Sequence, residues 1–299
     1  MLTHRYTRMG FTLIEMLVVI ALIALLIATL APALSAARRT AQLSMSLSNL
    51  RQIGMGMNTY TVDNDGYYPY RMENFSTQPY YAGWCTWSFG GKFADPFWKQ
   101  YSLGMYDLAP SARPINEYLY STSLHKPVTG SGSFGIAHAR PGSESERITS
   151  LELDIFKSPR DVLSFQRGWT GDSTPEAIAQ VSSYDDIGTS YHENKKWHRQ
   201  LVTHGASGDV MHLGNQKLRA MNEVDPSRFV LCHDQVADIV SSIFVPSGLE
   251  VVDSNYGRES FSAMAYIDGH ANFVELEPNQ TSTEDYTFHF ELTPPRRPR

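Results

Sequence analysis

The sequence predicts an α+β protein: one long N-terminal hydrophobic α-helix packed on an antiparallel β-sheet head that contains a long loop-rich insertion. Three observations predict it. A single apolar run stands near the N-terminus, a helical amphipathic stripe follows it, and the C-terminal third carries short β-rich runs broken by turns. The 299 residues are 42% hydrophobic and 19% charged, a composition that folds.

The apolar run comes first. From Phe11 to Leu34 one charge, Glu15, falls in 24 residues. As a helix this run rises about 36 Å, enough to cross the hydrocarbon core of a bilayer. No later stretch comes near it, so at most one crossing is expected. Arg5 and Arg8 precede the run together with His4 and no acid. Cations flanking a first span stay cytoplasmic, which puts everything after Leu34 outside the cytoplasm.

A basic stub before an apolar run fits a secretory signal, a plain membrane anchor, or a segment that packs against copies of itself in the lipid. Met16 to Leu30, followed by Ala33, Ser35, Ala36 and Ala37, has the form of a secretory signal. The order Gly10-Phe11-Thr12-Leu13-Ile14-Glu15 argues against that reading, because it sets a carboxylate inside the apolar segment. An acid in lipid is costly unless a cation partners it. Cleavage between Gly10 and Phe11 would create that cation, the α-ammonium of Phe11. It can meet its own Glu15 or the Glu15 of a neighbouring subunit.

These residues, followed by Met16-Leu17-Val18-Val19-Ile20, closely resemble the processing and methylation motif of type IV prepilins and type II secretion pseudopilins. The resemblance implies a leader over 1–10, clipped after Gly10. It makes Phe11 the N-methylated terminus and Glu15 the residue that guides assembly. Pro32 stands where the family commonly has a helix-kinking proline, as its missing N–H and ring clash require. The implied partners are a prepilin peptidase and methyltransferase, an assembly ATPase system acting through the inner membrane, and other pilin or pseudopilin subunits. The implied location is the inner membrane, single-pass, with the head extracytoplasmic. No enzyme activity, catalytic residue, metal or cofactor is expected. The formal charge of −6, or −8 without the two leader arginines, gives no electrostatic footprint for nucleic acid, and Arg38 and Arg39 are too few to reverse it.

The helix should continue beyond the membrane to about Tyr60. Leu43, Leu47, Leu50, Met57 and Tyr60 recur at helical spacings, and no proline intervenes between Pro32 and Pro69. A stem of about 50 residues would reach roughly 75 Å. One half of the stripe should face the head and the other half neighbours in the membrane, with Gly54 and Gly56 weakening the helix. The expected organisation is therefore a leader over 1–10, a membrane and filament-core helix over 11–34, a stem over 35–62, and a head over 63–299. Within the head, 63–180 is an aromatic-rich insertion and 181–299 is mainly β.

The resemblance extends into the head. Asn49-Leu50-Arg51-Gln52-Ile53-Gly54, Tyr60 and Asp63-Asn64-Asp65-Gly66-Tyr67-Tyr68-Pro69 look like the stem end and first loop of large-headed major-pseudopilin-like proteins. Ile155-Phe156-Lys157-Ser158-Pro159-Arg160-Asp161 is similar to their Cys-Pro-Ser-Asp loop, with Ser158 where cysteine is usual. Ser190-Tyr191-His192-Glu193-Asn194 resembles a later Ser-Tyr-Gly-x-Asn element. Ala265 to Phe273 matches an Asp-Gly hairpin, with Arg258 where those proteins carry a histidine.

Independently, Arg228–His233 and Ile239–Val245 read as strands. Phe261–Ile267 and Ala271–Leu276 flank a turn at Asp268-Gly269. Tyr286, Phe288, Phe290 and Leu292 alternate as a last strand.

Other residue groups invite chemistry. His192, His198, His204 and His212, with Asp209 among them and His233-Asp234 beyond, fit no zinc spacing and read as histidines of polar loops. Asp63-Asn64-Asp65-Gly66 lacks the ligand series of a calcium loop and reads as a turn. Gly130-Ser131-Gly132-Ser133 is not a phosphate cradle, and no Gly-x-Ser-x-Gly elbow occurs. Cys85 and Cys232 form one disulfide in an oxidising compartment or remain two buried thiols, and pairing is the expectation. Tyr67 to Tyr101 holds 13 of the chain's 35 aromatic residues, among them Trp84, Trp87 and Trp98. These rings fill the head's core or, in an alternative reading, form the binding surface of a minor or capping subunit with an adhesive or glycan-binding head. Core is the expectation.

Overall fold

A computed structural model describes residues 12–69, 89–100, 110, 113–120, 152–162, 164–167, 181–203, 210–241 and 256–290. The chain divides into two compact units, Met1–Ala41 and Gln42–Arg299.

Helix α1 runs from Leu13 to Asp63 and includes Pro32 without a break in its helical assignment. In the first unit its large apolar side chains lie open, from Leu13 at 81% exposed to Leu34 at 71%. In length and composition α1 is suited to cross a membrane. The helix ends at a turn over Asn64-Asp65-Gly66, where Asp65 and Gly66 both take positive φ, 52° and 76°. The Gly66 N–H reaches back to Thr61 O at 2.7 Å and the Asn64 side chain donates to Tyr60 O at 2.8 Å, so the last carbonyls are satisfied.

In the second unit the C-terminal part of α1 lies in the head's core. Leu50, Ile53 and Met57 are fully buried, and Leu47 and Tyr60 pack beside them. The strands β1 (Tyr191–Glu193), β2 (Val230–Asp234), β3 (Phe261–Tyr266) and β4 (Ala271–Glu275) form an antiparallel sheet in that order. Ala263, Ala265 and Ala271 share a core cluster with α1, and their small side chains let the helix approach closely. Arg51 donates to Ala271 O and Asn58 to Ile267 O, each at 3.1 Å, so polar stem residues hold the hairpin's ends. The opposite face, with Met264, Tyr266 and Val274, packs against helix α6 (Gln235–Val240) and Tyr286 and Phe288. A register shift between Val230 and Cys232 puts Val230 with the second cluster and Leu231 and Cys232 with the first.

Short helices connect these elements: α2 (Asn116–Leu119), α3 (Ser183–Ile187), α4 (Lys196–Thr203) and α5 (Val210–Val224). The hairpin at Asp268-Gly269 is present, with Gly269 at φ 90°.

Two expected strands take other forms. Residues Gln235–Val240, which include the first part of the expected Ile239–Val245 strand, are helical; the Asp234 carboxylate accepts from the Val236 N–H and starts a new helix directly after β2. Residues 242–245 lie outside the described residues. Tyr286 to Phe290 contributes only isolated bridges at Thr287, to Phe229 and Ser282. There the hydroxyls of Thr283 and Thr287 bond nearby backbone groups and compete with a ladder.

Of Gly54 and Gly56, both expected to weaken the stem, Gly56 marks close packing, whereas a Cβ at Gly54 would meet only Ala265 Cβ, at 3.8 Å. A Cβ at Gly56 would lie 2.9 Å from Leu119 Cδ2 and 3.2 Å from Ile115 Cγ2.

Candidate functional site

Two arrangements stand out, one in each unit. At the start of α1, Thr12 and Glu15 form a reciprocal cap. Thr12 Oγ1 accepts from the Glu15 N–H at 3.2 Å, and a Glu15 carboxylate oxygen accepts from the Thr12 N–H at 2.7 Å and its hydroxyl at 2.8 Å. This is a capping box, with the acid also placed at the positive end of the helix dipole. Glu15 therefore has partners within its own helix, in addition to any that cleavage or assembly would supply. Gly10 and Phe11 lie outside the described residues. The side chains of Leu17, Val18, Leu22, Leu25, Leu26 and Leu30 are all exposed, a continuous apolar surface beyond the cap.

In the head, four ionisable side chains from separate elements converge. His192 of β1 stands opposite His233 of β2 in the sheet register, with ring centroids 6.0 Å apart. Asp238 of α6 lies between them and Lys196 of α4. His192 Nδ1 is 2.5 Å from Asp238 Oδ2, while His233 Nε2 and Lys196 Nζ lie 3.7 and 3.8 Å from Oδ1. Lys196 also donates to Ser241 Oγ at 2.5 Å and Ala237 O at 3.3 Å. Burial pushes the Lys196 ammonium down, against the pull of Asp238. Burial would raise Asp238, but His233, His192 and Lys196 hold it well below the usual carboxylate range.

The expectation that the histidines belong to polar loops is corrected for this pair. Both are buried strand residues, because β1 and β2 pair across 40 residues of chain. His204 and Asp209 lie outside the described residues, as do the side chains of His198 and His212. Among the described residues no group of His, Cys, Asp and Glu could hold a metal ion.

The loop that resembles a Cys-Pro-Ser-Asp element is structural. Ser158 Oγ and Tyr256 OH are hydrogen-bonded at 2.8 Å, a buried polar contact. Asp161 accepts from the N–H groups of Ser183 and Tyr184 at 3.0 and 2.8 Å, capping α3, and from Ser190 Oγ at 2.5 Å. Burial raises its pKa in spite of those three donors and His192. Arg258 is exposed and lies over the Phe261 ring.

Of the aromatic segment, Tyr68, Phe89, Phe93 and Trp98 are buried, and Trp98 Nε1 donates to Asp186 Oδ1 at 2.8 Å. Trp84 and Trp87 lie outside the described residues. Cys232 is fully buried and has no disulfide partner among the described residues, burial pushes its thiol pKa up, and Cys85 lies outside the described residues.

By architecture this is an α+β chain with, among the described residues, one helix long and apolar enough to cross a membrane. No protein-family model, curated protein or solved structure matches it.

Proposed function

We propose that the chain is a structural, non-enzymatic pilin-like subunit of a type IV pilus or type II secretion-like filament. The observation that carries the reading is α1 itself. One helix joins an exposed apolar segment, interrupted only by Glu15, to a stretch whose Leu50, Ile53 and Met57 are core residues of a folded head. Exposed apolar area on this scale calls for lipid or for other copies of the same helix. The motif from Gly10 to Glu15 supplies both in turn: a membrane-held precursor, then a subunit released from its leader.

In this reading a prepilin peptidase cuts between Gly10 and Phe11 and a methyltransferase modifies Phe11. The subunit sits in the inner membrane with its head extracytoplasmic until assembly. Glu15 exchanges part of its capping box for the α-ammonium of a neighbouring subunit, an ion pair that draws the incoming helix into register. The burial of Tyr68, Phe89, Phe93 and Trp98 supports a structural head.

The test is Glu15→Ala in the full chain, expressed in the native cell. Membrane levels should match wild type, because removing an acid does not hinder insertion. Incorporation into filaments should fall sharply. Filaments that take up Glu15→Ala as readily as wild type would overturn the role given to Glu15.

A further inference from the structure

We propose that Arg38 and Arg39 bind the phosphate groups of the lipid leaflet at the outer end of α1's apolar segment. The proposal rests on the membrane-held precursor described above and names what that precursor grips on its extracytoplasmic side.

The charge pattern of α1 carries it. From Phe11 to Leu50 the only ionisable side chains are Glu15, Arg38 and Arg39. The helix passes Pro32 without a break in its assignment, so Glu15 and Arg38 lie about 35 Å apart along its axis. Between them the large apolar side chains, Met16 through Leu34, are all exposed. The hydrocarbon core of a bilayer is about 30 Å thick. A span that keeps Glu15 at one boundary therefore brings both arginines into the headgroup layer at the other.

The two guanidinium groups are available there. Arg38 is exposed, and among the described residues it makes no hydrogen bond or ion pair. Arg39 is half-buried and donates from Nη1 to Ser35 Oγ at 3.1 Å, one turn back along the same helix. The residues three and four positions away are Leu34, Ser35, Ala36, Ala41, Gln42 and Leu43, with no acid among them to form a helical ion pair. Arg51, the next cation of the helix, is instead engaged with Ala271 O in the head.

Phosphate suits this pair. A guanidinium presents a planar fork of N–H donors that matches two phosphate oxygens, and its charge strengthens both bonds. Its apolar stem lies along the acyl boundary while the charged end reaches polar surroundings. Adjacent helix positions point about 100° apart, so Arg38 and Arg39 meet separate lipids. Processing changes the balance. Removal of residues 1–10 takes away Arg5 and Arg8, and Arg38 and Arg39 are then the only cationic side chains flanking the span. The precursor is tied by arginine at both membrane surfaces, the mature subunit at the outer one alone.

The experiment is solid-state NMR on the full chain, carbon-13 labelled at arginine and leucine. The chain is placed in vesicles of equal phosphatidylethanolamine and phosphatidylglycerol, in a phosphate-free buffer, so that all phosphorus belongs to lipid. Transfer from acyl-chain protons to leucine side chains reports the span, and carbon–phosphorus dephasing reports guanidinium groups in contact with phosphate. In Arg38→Gln, Arg39→Gln the dephased guanidinium signal should fall by two residues' worth while the leucine contacts persist. An unchanged phosphorus-coupled signal with leucine contacts intact would overturn this proposal and leave the membrane reading standing. Wild-type leucines without acyl contact would overturn both. If the glutamine variant fails to insert, Arg38→Lys, Arg39→Lys decides, because it keeps the charge and must still lose the same two arginine signals.

Discussion

Three helical glycines offer a graded test of how tightly the head is packed. Gly54 and Gly56 lie in α1 and Gly214 in α5, and alanine at each gains about 0.8–1 kcal/mol of helix propensity. What differs is the space a Cβ would meet. At Gly54 the nearest atom is Ala265 Cβ at 3.8 Å, an ordinary contact. At Gly56 it is Leu119 Cδ2 at 2.9 Å, the movable end of a half-buried side chain, followed by Ile115 Cγ2 at 3.2 Å. Ile115 is fully buried and has little room to retreat. At Gly214 the Cβ would lie 2.1 Å from Cζ3 of Trp197, a ring that is itself buried and packed on Phe290. Overpacking typically costs about 1–3 kcal/mol and occasionally more. Gly54→Ala should therefore stabilise the protein by about 0.5–1 kcal/mol. Gly56→Ala should destabilise it by about 1 kcal/mol, and Gly214→Ala by about 2–3 kcal/mol. Thermal unfolding of the full chain in detergent reads all three, with about 2–4 °C per kcal/mol for a domain of this size. If all three variants gain stability alike, propensity alone governs these sites and the packing account is wrong.

Trp98→Ala should cost about 3–5 kcal/mol in the same assay, as a core aromatic does, whereas a loss under about 0.5 kcal/mol would place this ring on a binding surface. Cys232 should resist thiol alkylation in the folded chain and react only on unfolding, because its thiol is buried and its pKa raised. Alkylation of unfolded protein only after reduction would instead show a bridge, and peptide mapping would tell whether its partner is Cys85.

The long helix and the C-terminal hairpin were legible because their signals are local. An apolar run, an amphipathic stripe and an Asp-Gly turn each declare themselves within a few residues. Even so, the stripe was read without Ile53, which is as buried as Leu50 and Met57. Gly56 registered as a helix breaker, since its value lies in the distant residues Leu119 and Ile115. The start of the expected Ile239–Val245 strand was misread because Ile239 and Val240 are β-branched. The deciding signal was Asp234, an N-cap residue placed just before helix α6. Thr12-x-x-Glu15 is a capping signature visible in the sequence, but the charge argument for Glu15 took precedence over it. The cluster around Asp238 was not legible, because it exists only once β1 pairs with β2 and α4 and α6 close over them. No spacing along the chain encodes that meeting.

The most direct test of the central claim is to shear surface filaments from the native cell and determine the N-terminus of this chain within them by mass spectrometry. The account predicts that the chain is present, begins at Phe11, and carries one added methyl group on its α-amine. A chain absent from filaments, or one whose mature terminus lies near Ala36 after an ordinary signal-peptide cut, would contradict it.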